Sequence, residues 1–188
     1  MNYSPDKHRR RSIRLSGYDY SQPGAYFITV CTDNRECLFG EIVDGEMRLS
    51  PIGAIARNSW LEILNHFPTV ELDEYIIMPN HIHAIVMWID EPQNQPCRDL
   101  INQIPTNKTN WILTKNPKRT LGKIIRHYKA RTTTMIRRAG FPLFQWQRNY
   151  YDHIIRTEKD LNTIREYIHD NATKWYIDNE NFNCFPIL

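Results

Sequence analysis

The stretch from Val70 to Trp88 constrains the fold more than any other part of the chain. Two runs rich in β-branched and aromatic residues, 70–78 and 81–88, are separated only by Pro79-Asn80. A parallel crossover needs a dozen or more residues, so a two-residue connection makes these runs an antiparallel hairpin. Side chains alternate between faces along a strand, which puts His81 and His83 on one face and sends Ile82 into the core. Their Cα atoms are then roughly 6.6 Å apart, close enough for both imidazoles to converge on one ion. A His-x-His pair alone is a weak signal, because most such pairs are solvated or merely hydrogen-bonded.

The remaining elements fit around that hairpin. Ala25 to Thr32 reads as a buried first strand, and Asp44-Gly45 as the turn of a small hairpin within 38–49. Ser50-Pro51 opens a helix through Phe67. Residues 90–118, with Pro92, Pro96, Pro105 and Pro117, read as a long loop. Leu121, Ile124, Ile125, Tyr128, Met135 and Ile136 recur at helical spacing over 120–139, and a last strand is expected around 144–155. Thr157-Glu158-Lys159-Asp160 resembles a capping box that starts a final helix to about Trp175. The expected fold is α+β: a ferredoxin-like, RRM-like antiparallel sheet with helices packed on one face and a C-terminal helix carrying the chemistry. The division expected is a basic arm over 1–20, one domain over 21–176 and a tail over 177–188.

A chain of 188 residues, 41% apolar and 24% charged, is long enough for one sizeable core. No apolar run has the length of a membrane span, and the basic N-terminus is followed by polar residues where a signal peptide needs an apolar stretch, so a cytoplasmic location is expected. Cys31, Cys37, Cys97 and Cys184 show no metal-binding spacing and are expected to be reduced.

The net charge of +3 hides a strong segregation. Residues 101–151 hold eleven Lys or Arg and no acid, which leaves the rest of the chain at −8. An acid-free basic block of fifty residues is the footprint of a site for a polyanion. The candidate DNA contacts are Arg9, Arg10, Arg11 and Arg14 in the arm, with Lys118, Arg119, Lys123, Arg126, Lys129, Arg131 and Arg148 in or beside the block. Tyr128, Trp111 and Trp146 are candidate stacking platforms, though core packing competes in each case and is favoured for Trp146.

On the final helix Tyr167 and Asn171 lie four residues apart, hence on one face, with Lys174 one turn further. If that face covers the histidine strand, a phenol and an amide oxygen join two imidazoles. Such a donor set suits Mg²⁺ or Mn²⁺ acting as a Lewis acid. Tyr151 is the alternative nucleophile, and of Tyr150 and Tyr151 on one strand only one can face the metal. His153 and His169 are expected to be structural or exposed.

Three motifs in order make the sequence resemble the REP-associated tyrosine transposases, within the HUH-superfamily transposases that use one tyrosine. Tyr75 to His83 (YIIMPNHIH) looks like their histidine hairpin, Trp146 to Arg156 (WQRNYYDHIIR) like their fourth-strand motif, and Tyr167 to Asn171 (YIHDN) like their tyrosine helix. The likeness covers about residues 8–176. It implies that Tyr167 is the nucleophile, that His81, His83 and Asn171 bind a divalent cation, and that the enzyme nicks and rejoins single-stranded DNA through a 5′-phosphotyrosine. It also implies a hairpin from a repetitive palindromic element as partner, a bacterial nucleoid setting and a monomer or homodimer. Ala172 stands where the group usually has proline, so the helix can continue past Asn171. Two other functions share these features: an RRM-like module for single-stranded nucleic acid, with Tyr26 and Phe27 as stacking residues, and a domesticated regulator without catalysis.

Overall fold

The structure is a computed structural model that describes residues 18–20, 22–88 and 120–175. The hairpin forms as expected. Strand β4 (Val70–Ile77) pairs antiparallel with β5 (His81–Trp88) across the short turn. Strand β1 (Gly24–Cys31) lies on the other side of β5, and β6 (Tyr151–Ile155) closes the order β4-β5-β1-β6. All three pairings are antiparallel. Leaving out the small β2-β3 hairpin (Gly40–Val43, Glu46–Leu49), the order is that of the ferredoxin-like sheet. Asp44 and Gly45 turn that hairpin with φ of 54° and 79°, the paired positive values of a type I′ turn.

Helix α1 (Pro51–Leu61) starts at Ser50, whose hydroxyl accepts from the Gly53 amide at 3.1 Å, with Pro51 in the first turn. The expected helix to Phe67 is interrupted at Glu62 and resumes as α2 (Ile63–His66). Helix α3 (Leu121–Arg138) packs beside α1, burying Leu121, Ile124, Ile125, Tyr128 and Ile136. With α1 it covers the face of the sheet formed by Tyr26, Ile28, Val30, Ile82, Ala84 and Val86, and this layer is the main core. Helix α4 (Glu158–Asp170) covers the opposite face, where Ile164 and Ile168 meet Phe27, Ile85 and Ile155. Its cap is Thr157, whose hydroxyl accepts from the Asp160 amide at 3.1 Å.

Two further boundaries differ from expectation. The last strand begins at Tyr151, not near Phe144. Residues 144–150 instead cross the end of β1, with Phe144 and Trp146 packed on Phe39, a Thr32–Trp146 bridge, and Asn149 in the left-handed region at φ 69°. The regular part of α4 ends at Asp170, and turns carry the chain on to Trp175. Cys37 is disulfide-bonded, so the expectation of four reduced thiols fails; linear spacing cannot show which cysteines folding brings together. No helix among the described residues is long and apolar enough to cross a membrane.

Candidate active site

The alternation along β5 puts Ile82 in the main core and His81 and His83 on the α4 face. The two imidazoles are 4.3 Å apart between centroids. Each is held through Nδ1 by a neighbour: Asn80 Oδ1 lies 2.6 Å from His81 Nδ1, and Thr29 Oγ1 lies 2.9 Å from His83 Nδ1. Thr29 stands directly across from His83 in the β1-β5 register. The Nε2 atoms are thereby turned to one side. Nε2 of His83 is 3.3 Å from the Tyr167 hydroxyl, while Nε2 of His81 is buried and has no hydrogen-bond partner among the described residues.

Burial lowers the pKa of both imidazoles. His83 is pushed down to about 4, and His81 is held well below the usual range by burial first, then by His83 and Arg35. Both are neutral at pH 7. An orphaned buried nitrogen on a neutral, anchored imidazole is the state a metal ligand requires, and an Nδ1 contact to a side-chain oxygen is the usual outer-shell support. Among the described residues no group of three or more His, Cys, Asp or Glu is arranged to hold a metal, so a cation here needs a different third donor.

Helix α4 brings a candidate donor to this face. Tyr167 packs on Phe27 and His83, and Trp175 stacks over His81 at 6.0 Å. Asn171 lies four residues from each, is buried, and keeps helical angles of φ −61° and ψ −40°. Four residues after Tyr167 at the end of α4, it lies on the Tyr167 side of the helix. A proline at 172 would push residue 171 out of the helical region; Ala172 leaves it there and packs with Met78 and Trp175. Lys174, expected on the same face, instead bonds Asp170 Oδ2 at 2.9 Å, and Trp175 holds the position over His81.

Tyr151 and Tyr150 separate as the alternation requires. Tyr151 pairs with Thr29 and shares the histidine face, whereas Tyr150 packs against the main core. Tyr151 is nevertheless two strands from β5, roughly 9.6 Å at normal spacing, while the Tyr167 hydroxyl touches His83. His153 is exposed and bonded to Asp160 at 3.0 Å, and His169 is exposed.

The basic surface is less uniform than its sequence. Arg126 and Arg148 are exposed. Arg131 is paired with Glu62 at 2.6 Å, and Lys129 turns inward, donating to the carbonyls of Gln147 at 2.6 Å and Asn149 at 2.8 Å. Burial lowers the Lys129 ammonium pKa to about 8. Lys123 lies on the same helix, half-buried. Arg9, Arg10, Arg11, Arg14, Lys118, Arg119 and Trp111 fall outside the described residues, as do the loop 90–118, the tail 177–188 and all but the end of the arm. Tyr128 and Trp146 are not stacking platforms: Tyr128 is wholly buried, and Trp146 is packed against it and donates to the Lys129 carbonyl at 3.2 Å.

Three participants, Asp73, Arg165 and Thr29, were not anticipated. Asp73 and Arg165 form a paired carboxylate–guanidinium contact between β4 and α4, beside a register shift between Leu72 and Tyr75. Neither position carries a local pattern that shows such a pairing. Thr29 could have been found only from the β1-β5 register.

Fold and site together define a ferredoxin-like domain in which a tyrosine helix closes on a His-x-His strand. No family model matches the chain. It is 41% identical over 179 residues to an uncharacterized protein of Haemophilus influenzae, covering 94% of this chain and 95% of that one, and belongs to one family with it. It is also 26% identical over 162 residues to a protein of the same organism described as "Putative REP-associated tyrosine transposase", covering 85% of this chain and 77% of that one. Its fold matches a REP-associated tyrosine transposase solved with a REP hairpin, at a TM-score of 0.54 and 20% identity, over 86% of this chain and 74% of that one. The chain is thus similar in sequence to a protein described as a putative REP-associated tyrosine transposase, and similar in fold to one solved with a REP hairpin.

Proposed function

We propose that this protein is a metal-dependent transposase that nicks and rejoins single-stranded DNA carrying a hairpin from a palindromic repeat. The observation that carries the reading is the Tyr167 hydroxyl 3.3 Å from Nε2 of an anchored, neutral His83, beside the orphaned Nε2 of His81. Likeness to a protein solved with a REP hairpin supports hairpin DNA as the substrate.

His81 and His83 would hold Mg²⁺ or Mn²⁺ through Nε2, with the Asn171 carboxamide as the third protein donor. When bound, the cation supplies Lewis-acid stabilisation of charge on the phosphate oxygens. Helix α4 holds the Tyr167 phenol beside that position, an orientation fixed by Phe27 and His83. The phenol oxygen attacks phosphorus in line, a Tyr167 O–P bond forms, and the P–O3′ bond breaks. The phenolic proton passes to solvent and the leaving 3′ oxygen takes one up, which leaves a free 3′-hydroxyl and a 5′-phosphotyrosine. Because the phosphodiester is exchanged and not hydrolysed, another 3′-hydroxyl can reverse the step and join strands without ATP. Within one chain, His81, His83 and Tyr167 lie together, which supports a site built from one copy.

The RNA-recognition reading requires an open sheet face with stacking aromatics. Tyr26 is wholly buried and Phe27 lies under α4. One test separates the remaining alternatives: incubation with a hairpin-bearing single-stranded oligonucleotide and Mn²⁺ should yield a free 3′-hydroxyl product, and a second acceptor strand should become joined to the retained half. Binding without either product in Mg²⁺ or Mn²⁺ would favour the regulator.

A further inference from the structure

On the face that carries the histidines, a cleft of about 150 Å³ opens between β1 and the segment leading into β6. Its walls include Thr29, Cys31, Gln147, Arg148, Asn149 and Tyr151. We infer that this cleft is a subsite for the unpaired base of one nucleotide next to the phosphate that Tyr167 attacks. The inference rests on the proposed function and names a substrate contact that the reading leaves open.

Position is the first support. Thr29 and Cys31 stand across from His83 and His81 in the β1-β5 register, so the cleft begins one strand spacing, roughly 4.8 Å, from the proposed metal ligands. Chemistry is the second. Tyr151 is 49% exposed on this face, the flat surface on which a base of any identity can stack. Gln147 and Asn149 each offer a donor and an acceptor on one side chain, matching the mixed edge of a base. Arg148 is the single charged side chain of the lining, and it is exposed, where a backbone phosphate would pass.

The cleft is also preformed. Lys129 donates to the carbonyls of Gln147 and Asn149, the Gln147 amide donates to the Cys31 carbonyl at 2.9 Å, and Asn149 sits at φ 69°. Lys129 is therefore a positioning residue that shapes the base wall. Asn149 and Tyr150 also border a wider cleft of about 520 Å³ along α3, lined by Arg126.

The test scans abasic positions, one at a time, through the unpaired flank of a hairpin-bearing single-stranded oligonucleotide, and measures affinity for the intact chain, Tyr151→Phe and Tyr151→Ala. Tyr151→Phe should bind like the intact chain, while Tyr151→Ala should bind roughly five- to a hundredfold more weakly. At one flank position, the one beside the mapped cut, the abasic loss should disappear in Tyr151→Ala, because both changes remove the same stack. Losses that add at every position, with the covalent adduct still formed at Tyr167, would overturn the subsite alone. Failure of every hairpin probe to bind or to form an adduct would overturn the proposed function with it.

Discussion

Asp73 on β4 receives the Arg165 guanidinium of α4 on both of its oxygens, with Nε 2.9 Å from Oδ1, and Arg165 lies two residues before Tyr167. The register shift between Leu72 and Tyr75 aims Asp73 at the helix. The arginine holds the Asp73 carboxyl below the usual carboxylate range. Asp73→Asn should therefore slow adduct formation by roughly ten- to a hundredfold through misplacement of Tyr167, with a smaller change in DNA affinity. The exchanged pair Asp73→Arg with Arg165→Asp should recover part of the rate. Single-turnover kinetics set beside equilibrium binding would check this; an affinity loss with an unchanged single-turnover rate would contradict it.

Acid should weaken the metal-free protein through His83. Its folded pKa of about 4 lies below the ordinary histidine value near ~6.5, so between these limits the unfolded chain binds more protons. Stability is then fullest above the unfolded value, falls as pH drops from about 6.5 toward 4, and loses nothing further from this group below that. The expected loss from His83 is about 2 to 3 kcal/mol by pH 4.5. Urea unfolding at pH 7 and 4.5 should show it, and a His83→Gln variant should show a correspondingly smaller pH dependence.

Mn²⁺ binding should report the histidines and their supports separately. His81→Ala or His83→Ala should abolish measurable binding by calorimetry. Thr29→Val removes only the oxygen beside His83 Nδ1 and should weaken it about ten- to a hundredfold. Unchanged affinity in Thr29→Val would show that Thr29 does not orient the ligand.

Gly53 on α1 tests the packing that sets the helix layer. A Cβ there would lie 2.0 Å from the Phe39 carbonyl oxygen, with backbone on the other side of the contact and no flexible group to yield. Gly53→Ala should destabilise the protein by about 1 to 3 kcal/mol despite its better helix propensity. Denaturant melts of the intact chain and the variant measure the difference, and a gain in stability would contradict the close approach.

The hairpin, the facing of His81 and His83, and the helices around them were legible because strand alternation and helical spacing are local rules. So was the separation of Tyr150 from Tyr151. What local rules do not encode is where a chain crosses another element. Trp146 and Asn149 looked like strand residues until β1, Phe39 and Lys129 took their partners. Lys129 looked like a surface phosphate contact because helical periodicity gives the direction of a residue but not the carbonyls waiting there. Trp175, not Lys174, reaches His81 because the chain leaves regular helix geometry after Asp170.

The most direct measurement of the central claim identifies the residue that becomes joined to DNA. After reaction with a hairpin-bearing single-stranded oligonucleotide and Mn²⁺, nuclease trimming and peptide mass mapping should find the residual 5′-nucleotide on Tyr167, and Tyr167→Phe should give no adduct. A nucleotide found on Tyr151, with the adduct persisting in Tyr167→Phe, would contradict the account.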